Sequence, residues 1–170
     1  MRALLLLAPL MLTACGLQPL YSAGAKGPVA EMLGDVRVAQ IEGQAGWLVR
    51  NALRDRLVAS QGGVGPGGRY RLDIKLEDSI TGFGVRSDDS VTRERRTLRA
   101  RYQLVDAGDG QVLLDATAAS DAGIDVVGSE YATIAAEQSA QERLAQAIAD
   151  QIVARLAVFA RRGTGAAPAP

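Results

Sequence analysis

The chain has 170 residues, 19 basic and 19 acidic side chains, one cysteine and no histidine, and 48% of it is hydrophobic. That length supports one domain with one core, and the balanced charge lacks the basic excess that nucleic-acid binding requires. The absence of histidine removes the commonest general base and the commonest zinc ligand, and a single cysteine excludes an internal disulfide.

The chain opens as an export signal. Arg2 is followed by an apolar run from Ala3 to Leu12, then by Thr13-Ala14-Cys15. A positive start, a short apolar core and small residues before a cleavage point make a secretory signal over residues 1–14. The run is too short to span a bilayer, which takes roughly 20 residues, and Pro9 interrupts it. Leu12-Thr13-Ala14-Cys15 resembles the lipobox of bacterial lipoproteins. That resemblance implies that Cys15 carries covalent lipid and becomes the mature N-terminus. The alternative is a free or buried cysteine after an ordinary signal peptide, although an odd thiol in an exported protein calls for an explanation. Lipoproteins of this kind that stay in the inner membrane usually carry aspartate next, so Gly16 favours the outer membrane.

Residues 15–33 contain Pro19, Gly24, Gly27 and Pro28 and read as an extended, lipidated tether. A single domain is expected over residues 34–162. Asp35–Glu42, with Val36, Val38 and Ile41, reads as a short strand. Trp47–Ser60 reads as a helix whose Val49, Leu53 and Leu57 share one face. Trp47 is expected in the core or at the helix start rather than against a ligand. Gln61–Gly68 is a glycine-rich loop without the lysine and serine of a phosphate-binding loop.

Arg69–Glu77 alternates cleanly, with Tyr70, Leu72, Ile74 and Leu76 on one face and Arg71, Asp73, Lys75 and Glu77 on the other. Ser79–Val85 continues this strand after a bend, and Ser87–Ser90 is a turn. Glu77-Asp78 and Asp88-Asp89 read as solvated acids in polar segments. Val91–Val105 alternates again, with Leu98, Ala100, Tyr102 and Leu104 facing alike. Asp106–Gly110 is a hairpin turn, because Asp-Gly steps accept positive φ. Val112–Ala119 returns, and residues 120–129 connect. One face buried and one wet is the pattern of an antiparallel sheet covered on a single side.

Ser129 is a candidate N-cap for a long helix ending near Arg162. Ala140, Leu144, Ala147, Ile148, Ile152 and Phe159 form its apolar stripe, and Glu137, Gln141, Glu142, Gln146 and Asp150 lie mostly away from it. Residues 163–170 read as a disordered tail. The order strand, helix, three strands, helix defines an α+β fold. It is a two-layer sandwich with two helices packed on one face of a four-stranded, mostly antiparallel sheet.

No catalytic set emerges from these elements. A Ser-Lys dyad would need Lys26, in the tether, or Lys75, on the polar side of a strand. What stands out is the polar face of the third strand. Alternation places Arg93, Arg95, Arg99 and Arg101 on one side, and Lys75 and Arg71 join from the neighbouring strand. Guanidinium forks in a row suit phosphates or carboxylates. The competing reading is cross-strand pairing with Asp73, Glu77 and Asp115 on a solvated sheet.

Several segments resemble one family. Cys15-Gly16-Leu17-Gln18-Pro19-Leu20-Tyr21 is similar to the mature start of the lipopolysaccharide-assembly lipoproteins, LptE, in their alphaproteobacterial form. Leu48, Val49, Arg50, Asn51 and Leu53 resemble a helix motif of that family, Ala100–Leu104 resembles one of its strands, and Tyr131-Ala132 with Glu137-Gln138 resembles the start of its long helix. Leu17 departs from the phenylalanine common there, and Val49 from an arginine. The resemblance implies a non-catalytic lipoprotein, without cofactor, seated in the lumen of a large outer-membrane β-barrel, LptD. There it plugs the pore, supports barrel assembly and contacts lipopolysaccharide. Arg93, Arg95, Arg99, Arg101 and Lys75 are the candidate contacts, although no family motif specifies them. Two other classes fit less well. One is an accessory lipoprotein of another envelope lipid-transport complex, and the other is a lipid-anchored hydrolase.

Overall fold

A computed structural model of the chain describes residues 27–59, 68–85, 91–126 and 129–165. Cys15 and the signal segment lie outside the described residues. The described residues form, in order, α1 Pro28–Gly34, β1 Val36–Val38, α2 Gly43–Ala59, β2 Tyr70–Val85, β3 Val91–Asp106, β4 Val112–Asp125 and α3 Glu130–Gly165. The sheet order is β1-β2-β3-β4. β1 pairs with β2 in parallel, and the other pairs are antiparallel. The helices cover one face, as the α+β two-layer reading requires.

Among the described residues the helical layer holds three helices rather than two. The tether expected to run to residue 33 gives way to α1 at Pro28. Proline suits the first turn of a helix, where its missing N–H has no intrahelical partner. Val29, Ala30 and Leu33 are buried, and α1 packs mainly on α3. Seven residues are too few for helical periodicity to stand out, so Pro28 read as a breaker when it is a starter.

α2 begins at Gly43, ahead of the expected Trp47, and buries Val49, Leu53 and Leu57 as its spacing demands. Trp47 itself is 64% exposed, which rules out the core; it sits instead near the start of α2. It lines an open depression on the outer side of α2 with Asn51, Arg54, Asp55 and Val58.

β2 and β3 are long, and they pair in register from Tyr70 opposite Asp106 to Val85 opposite Val91. β4 continues past Ala119 to Asp125, through residues expected to form a connection. Ala, Ser, Asp and Gly carry little intrinsic strand preference. Here the β3 ladder decides, with Asp125 still opposite Arg93. At the β3–β4 turn, Gly110 adopts φ 75°. The Asp106 and Asp109 carboxylates accept from the Gly108 and Gln111 amides at 2.9 Å.

α3 starts immediately after Ser129, whose carbonyl accepts from the Thr133 amide at 3.1 Å. It continues to Gly165, beyond the expected end at Arg162. Thirty-six residues make about 54 Å of helix at ~1.5 Å per residue. Leu144, Ile148, Ile152 and Leu156 enter a core shared with Leu53, Leu72, Leu98 and Leu104. Arg56 on α2 donates to Asp150 on α3, Nη2 to Oδ2 at 3.0 Å, which ties the two helices together. Among the described residues no helix is long and apolar enough to cross a membrane.

Candidate ligand-binding face of the sheet

Alternation along β2, β3 and β4 turns one set of side chains away from the helices. Arg93, Arg95, Arg99 and Arg101 share that outer face, are all exposed, and stand beside Lys75 and Arg71 of β2. The row read from the sequence therefore exists. Its charges, however, are largely answered by β4. Arg93 Nε lies 2.9 Å from Asp125, directly opposite it. Arg95 approaches Asp121 at 3.9 Å and stacks over the Phe83 ring at 5.5 Å. Arg101 reaches Asp115 at 3.0 Å, and Gln103 donates to the same carboxylate at 2.8 Å. The hydrogen bond with Asp115 raises the Arg101 pKa, and the bond from Arg101, followed by that from Gln103, lowers the Asp115 pKa. Arg71 is held by Asp73 on its own strand.

Two cations remain. Lys75 stands opposite Arg101 in the ladder, and Arg99 opposite Glu77. Neither forms an ion pair within 4.0 Å among the described residues. Lys75 and Arg101 repel each other across the strands, and with Asp73 and Gln103 they line a shallow depression of about 160 Å³. This is where the face holds positive charge in excess. Arg101 and Asp115 form a solvent-exposed pair, and exposed ion pairs are weak, so the aspartate is readily exchanged for a phosphate. Arg99, Arg101 and Lys75 then supply two forks and one ammonium for an anionic group. Arg93 and Arg95 sit farther along β3 beside their aspartates.

The inner face holds a polar cluster that the sequence reading missed. Arg96 donates to Asp78, Nε to Oδ1 at 2.9 Å and Nη2 to Oδ2 at 2.6 Å. Arg96 also reaches the Glu137 carbonyl of α3 at 3.2 Å, and Gln141 Nε2 donates to Asp78 at 3.2 Å. Asp78 is thus no solvated turn residue, and Gln141 is buried rather than turned away from the apolar stripe. The Asp78 bond raises the Arg96 pKa, with burial opposing it. The signal was available, since both residues occupy inward positions of alternating strands, and a charge there demands a partner. Among the described residues no group of three or more Asp, Glu, Cys or His side chains is placed to hold a metal ion.

A one-sided sheet backed by a long helix is the architecture of several small bacterial lipoproteins. A candidate lipoprotein from Caulobacter crescentus CB15 is 28% identical, with a TM-score of 0.61 over 79% of this chain and 98% of its own. The minor lipoprotein of Acinetobacter baumannii (15% identical, TM-score 0.57, covering 75% of this chain and 93% of its own) shares the fold. So does the rare lipoprotein B of Shewanella oneidensis (13%, 0.53, 76% and 96%). No curated protein matches the chain significantly. The family model LptE, lipopolysaccharide-assembly, matches residues 33–156, and the chain belongs to that family.

Proposed function

We propose that this chain is an outer-membrane lipoprotein, lipid-anchored at Cys15, that plugs and helps assemble the LptD β-barrel and contacts lipopolysaccharide as it passes to the outer leaflet. The observation that carries the reading is the family match, which spans nearly the whole folded domain. A lipopolysaccharide-assembly lipoprotein needs an anchor, a surface for its barrel and a place for an anionic glycolipid. The lipobox supplies the first, and the Lys75–Arg99–Arg101 patch suits the last. The role is binding rather than catalysis, without a cofactor beyond the covalent lipid. The protein works from the periplasmic side, within the barrel lumen.

The test is a mild-detergent pull-down of the tagged, full-length chain from outer membranes, with identification of what co-purifies. A large β-barrel in near-equal amount supports the reading. Recovery of inner-membrane transporter subunits without a barrel overturns it in favour of an accessory lipoprotein of another lipid-transport complex.

A further inference from the structure

The outer face of β2–β4 is laid out in rungs. Lys75, Arg101 and Thr117 form one, and Asp73, Gln103 and Asp115 form the next. Arg101 does not keep to its own rung. Its Nε and Nη2 reach diagonally to Asp115 Oδ1 and Oδ2, at 3.4 and 3.0 Å. Gln103 Nε2 donates to the same Oδ2 at 2.8 Å. The guanidinium is thus drawn toward β4, while the Lys75 ammonium opposite it rises from β2. Asp73, the other carboxylate of the second rung, is held by Arg71.

An anion that settles between Lys75 and Arg101 must take Arg101 from a counter-anion already in place. That cost falls on every guest alike, because affinity scales with the fraction of the site that is competent. What differs is the return. A carboxylate offers Arg101 the two oxygens and single charge that Asp115 already supplies. A phosphodiester also has two unesterified oxygens and one charge. A phosphate monoester carries about −1.5 to −2 charge and three acceptor oxygens. Two oxygens satisfy the arginine fork, and the third is left for the ammonium across the rung. The depression is shallow, about 160 Å³, so it holds the phosphate and leaves the rest of the guest outside. Gly27 follows Cys15 by twelve residues, at most about 43 Å of chain at ~3.6 Å per residue. A lipid on Cys15 therefore keeps the domain close to a bilayer.

We propose that Asp115 is the built-in counter-anion of this site, holding Arg101 in reserve so that the depression takes a membrane amphiphile bearing a phosphate monoester and binds singly charged headgroups poorly. This rests on the lipopolysaccharide-contact reading above and names the headgroup chemistry and the residue that sets its threshold. The charged groups facing the depression are Asp73, Lys75 and Glu77 on β2, Arg99 and Arg101 on β3, and Asp115 on β4; the helices lie on the other face. The hydrogen bonds from Arg101 and then Gln103 hold the Asp115 carboxyl below its ordinary range, so it stays charged as the pH falls. A phosphate monoester gives up its second charge near pH 6. The chain has no histidine, the side chain that titrates in that range, so a loss of binding with a midpoint near pH 6 belongs to the guest.

The experiment uses the full-length chain in neutral-detergent micelles and titrates in three amphiphiles at neutral pH. They are dioctanoyl phosphatidic acid (a monoester), dioctanoyl phosphatidylglycerol (a diester) and an acyl glycine (a carboxylate). The monoester should bind about fivefold more tightly than the other two, the effect of one extra charge beside one cation in water. That preference should vanish as pH falls through about 6, while diester binding stays flat. Asp115→Asn should tighten all three by about two- to fivefold, the strength of an exposed ion pair. Asp121→Asn makes the same change of charge on the same face beside Arg95, and should do less. Inorganic phosphate at the concentration of the phosphatidic acid should not displace it. Equal binding of the three amphiphiles, a monoester preference that ignores pH, or equal gains from the two aspartate variants overturn the proposal, as does displacement by inorganic phosphate. Any of these with a barrel still co-purifying leaves the assembly reading standing. The monoester preference without a barrel does the reverse.

Discussion

Arg96 and Asp78 anchor the first half of α3 to the sheet, and breaking that link should be costly. Their side chains are 13% and 23% exposed, between the fully buried and the surface case. Stranding one member of a buried pair costs ~3–5 kcal/mol, whereas an exposed pair contributes ~0.2–1 kcal/mol. Arg96→Met keeps the apolar stem and leaves Asp78 with Gln141 as its remaining side-chain donor, at 3.2 Å. The intermediate burial puts the expected loss at about 2 kcal/mol, or about 6 °C in Tm for a domain of this size. The assay is urea unfolding of the unacylated chain followed by circular dichroism, run on Arg96→Met, Asp78→Leu and the double variant. Removing both charges removes the stranded one, so the double variant should be less destabilised than the two single losses combined, by about 1–2 kcal/mol. A single-variant cost below about 0.5 kcal/mol with strict additivity would refute the clamp.

Gly46→Ala lies inside α2, where helix propensity alone would stabilise by up to ~1 kcal/mol. Instead the new Cβ would meet the Ile41 carbonyl oxygen at 2.7 Å and its carbon at 2.8 Å. A thermal melt should therefore show a loss of about 1–3 kcal/mol, while Gly123→Ala, which meets nothing within 4 Å, stays within ~0.5 kcal/mol of the parent. The Asp150 carboxyl is depressed by its hydrogen bond from Arg56, so the unfolded chain binds its proton first. The resulting stability is present above the ordinary carboxylate value, about pH 4, and is lost as pH falls through the depressed one. Tm should drop below that pH, and Asp150→Asn should flatten the slope. On the outer face, Lys75→Glu and Arg99→Glu should each weaken lipopolysaccharide binding about tenfold in a low-salt filter assay, because each reverses an uncommitted charge. Arg93→Glu, whose partner is Asp125, should weaken it less. Equal losses at all three positions would show that the face acts only through its net charge.

Local patterning made much of this molecule legible. Alternation in Tyr70–Leu76 and Leu98–Leu104 assigned β2 and β3 and their buried faces, because side-chain period and strand period coincide. The Asp106–Gly110 turn was readable because its acids and glycines have few other uses in that pattern. The segment resemblances pointed to the family that the domain match over residues 33–156 establishes. Short or weakly patterned pieces were not legible. α1 owes its existence to docking on α3, the end of β4 to the β3 ladder, and Trp47 is exposed because the core took Val49 and Leu53 instead.

The candidate face divides along the same line. Sequence by itself determined which side of β3 each arginine occupies, since that follows from backbone geometry alone. Only the tertiary structure decided which arginines are spent. Asp115 was in view as a cross-strand partner, but Asp121 and Asp125 lie where a connection was expected, and a pairing register set by bulges and turns cannot be read from either strand separately. For the same reason Asp78, Arg96 and Gln141, which come from three elements far apart in the chain, appear as one cluster only once the fold is closed. Charge alternation is a local property, and charge neutralisation is not.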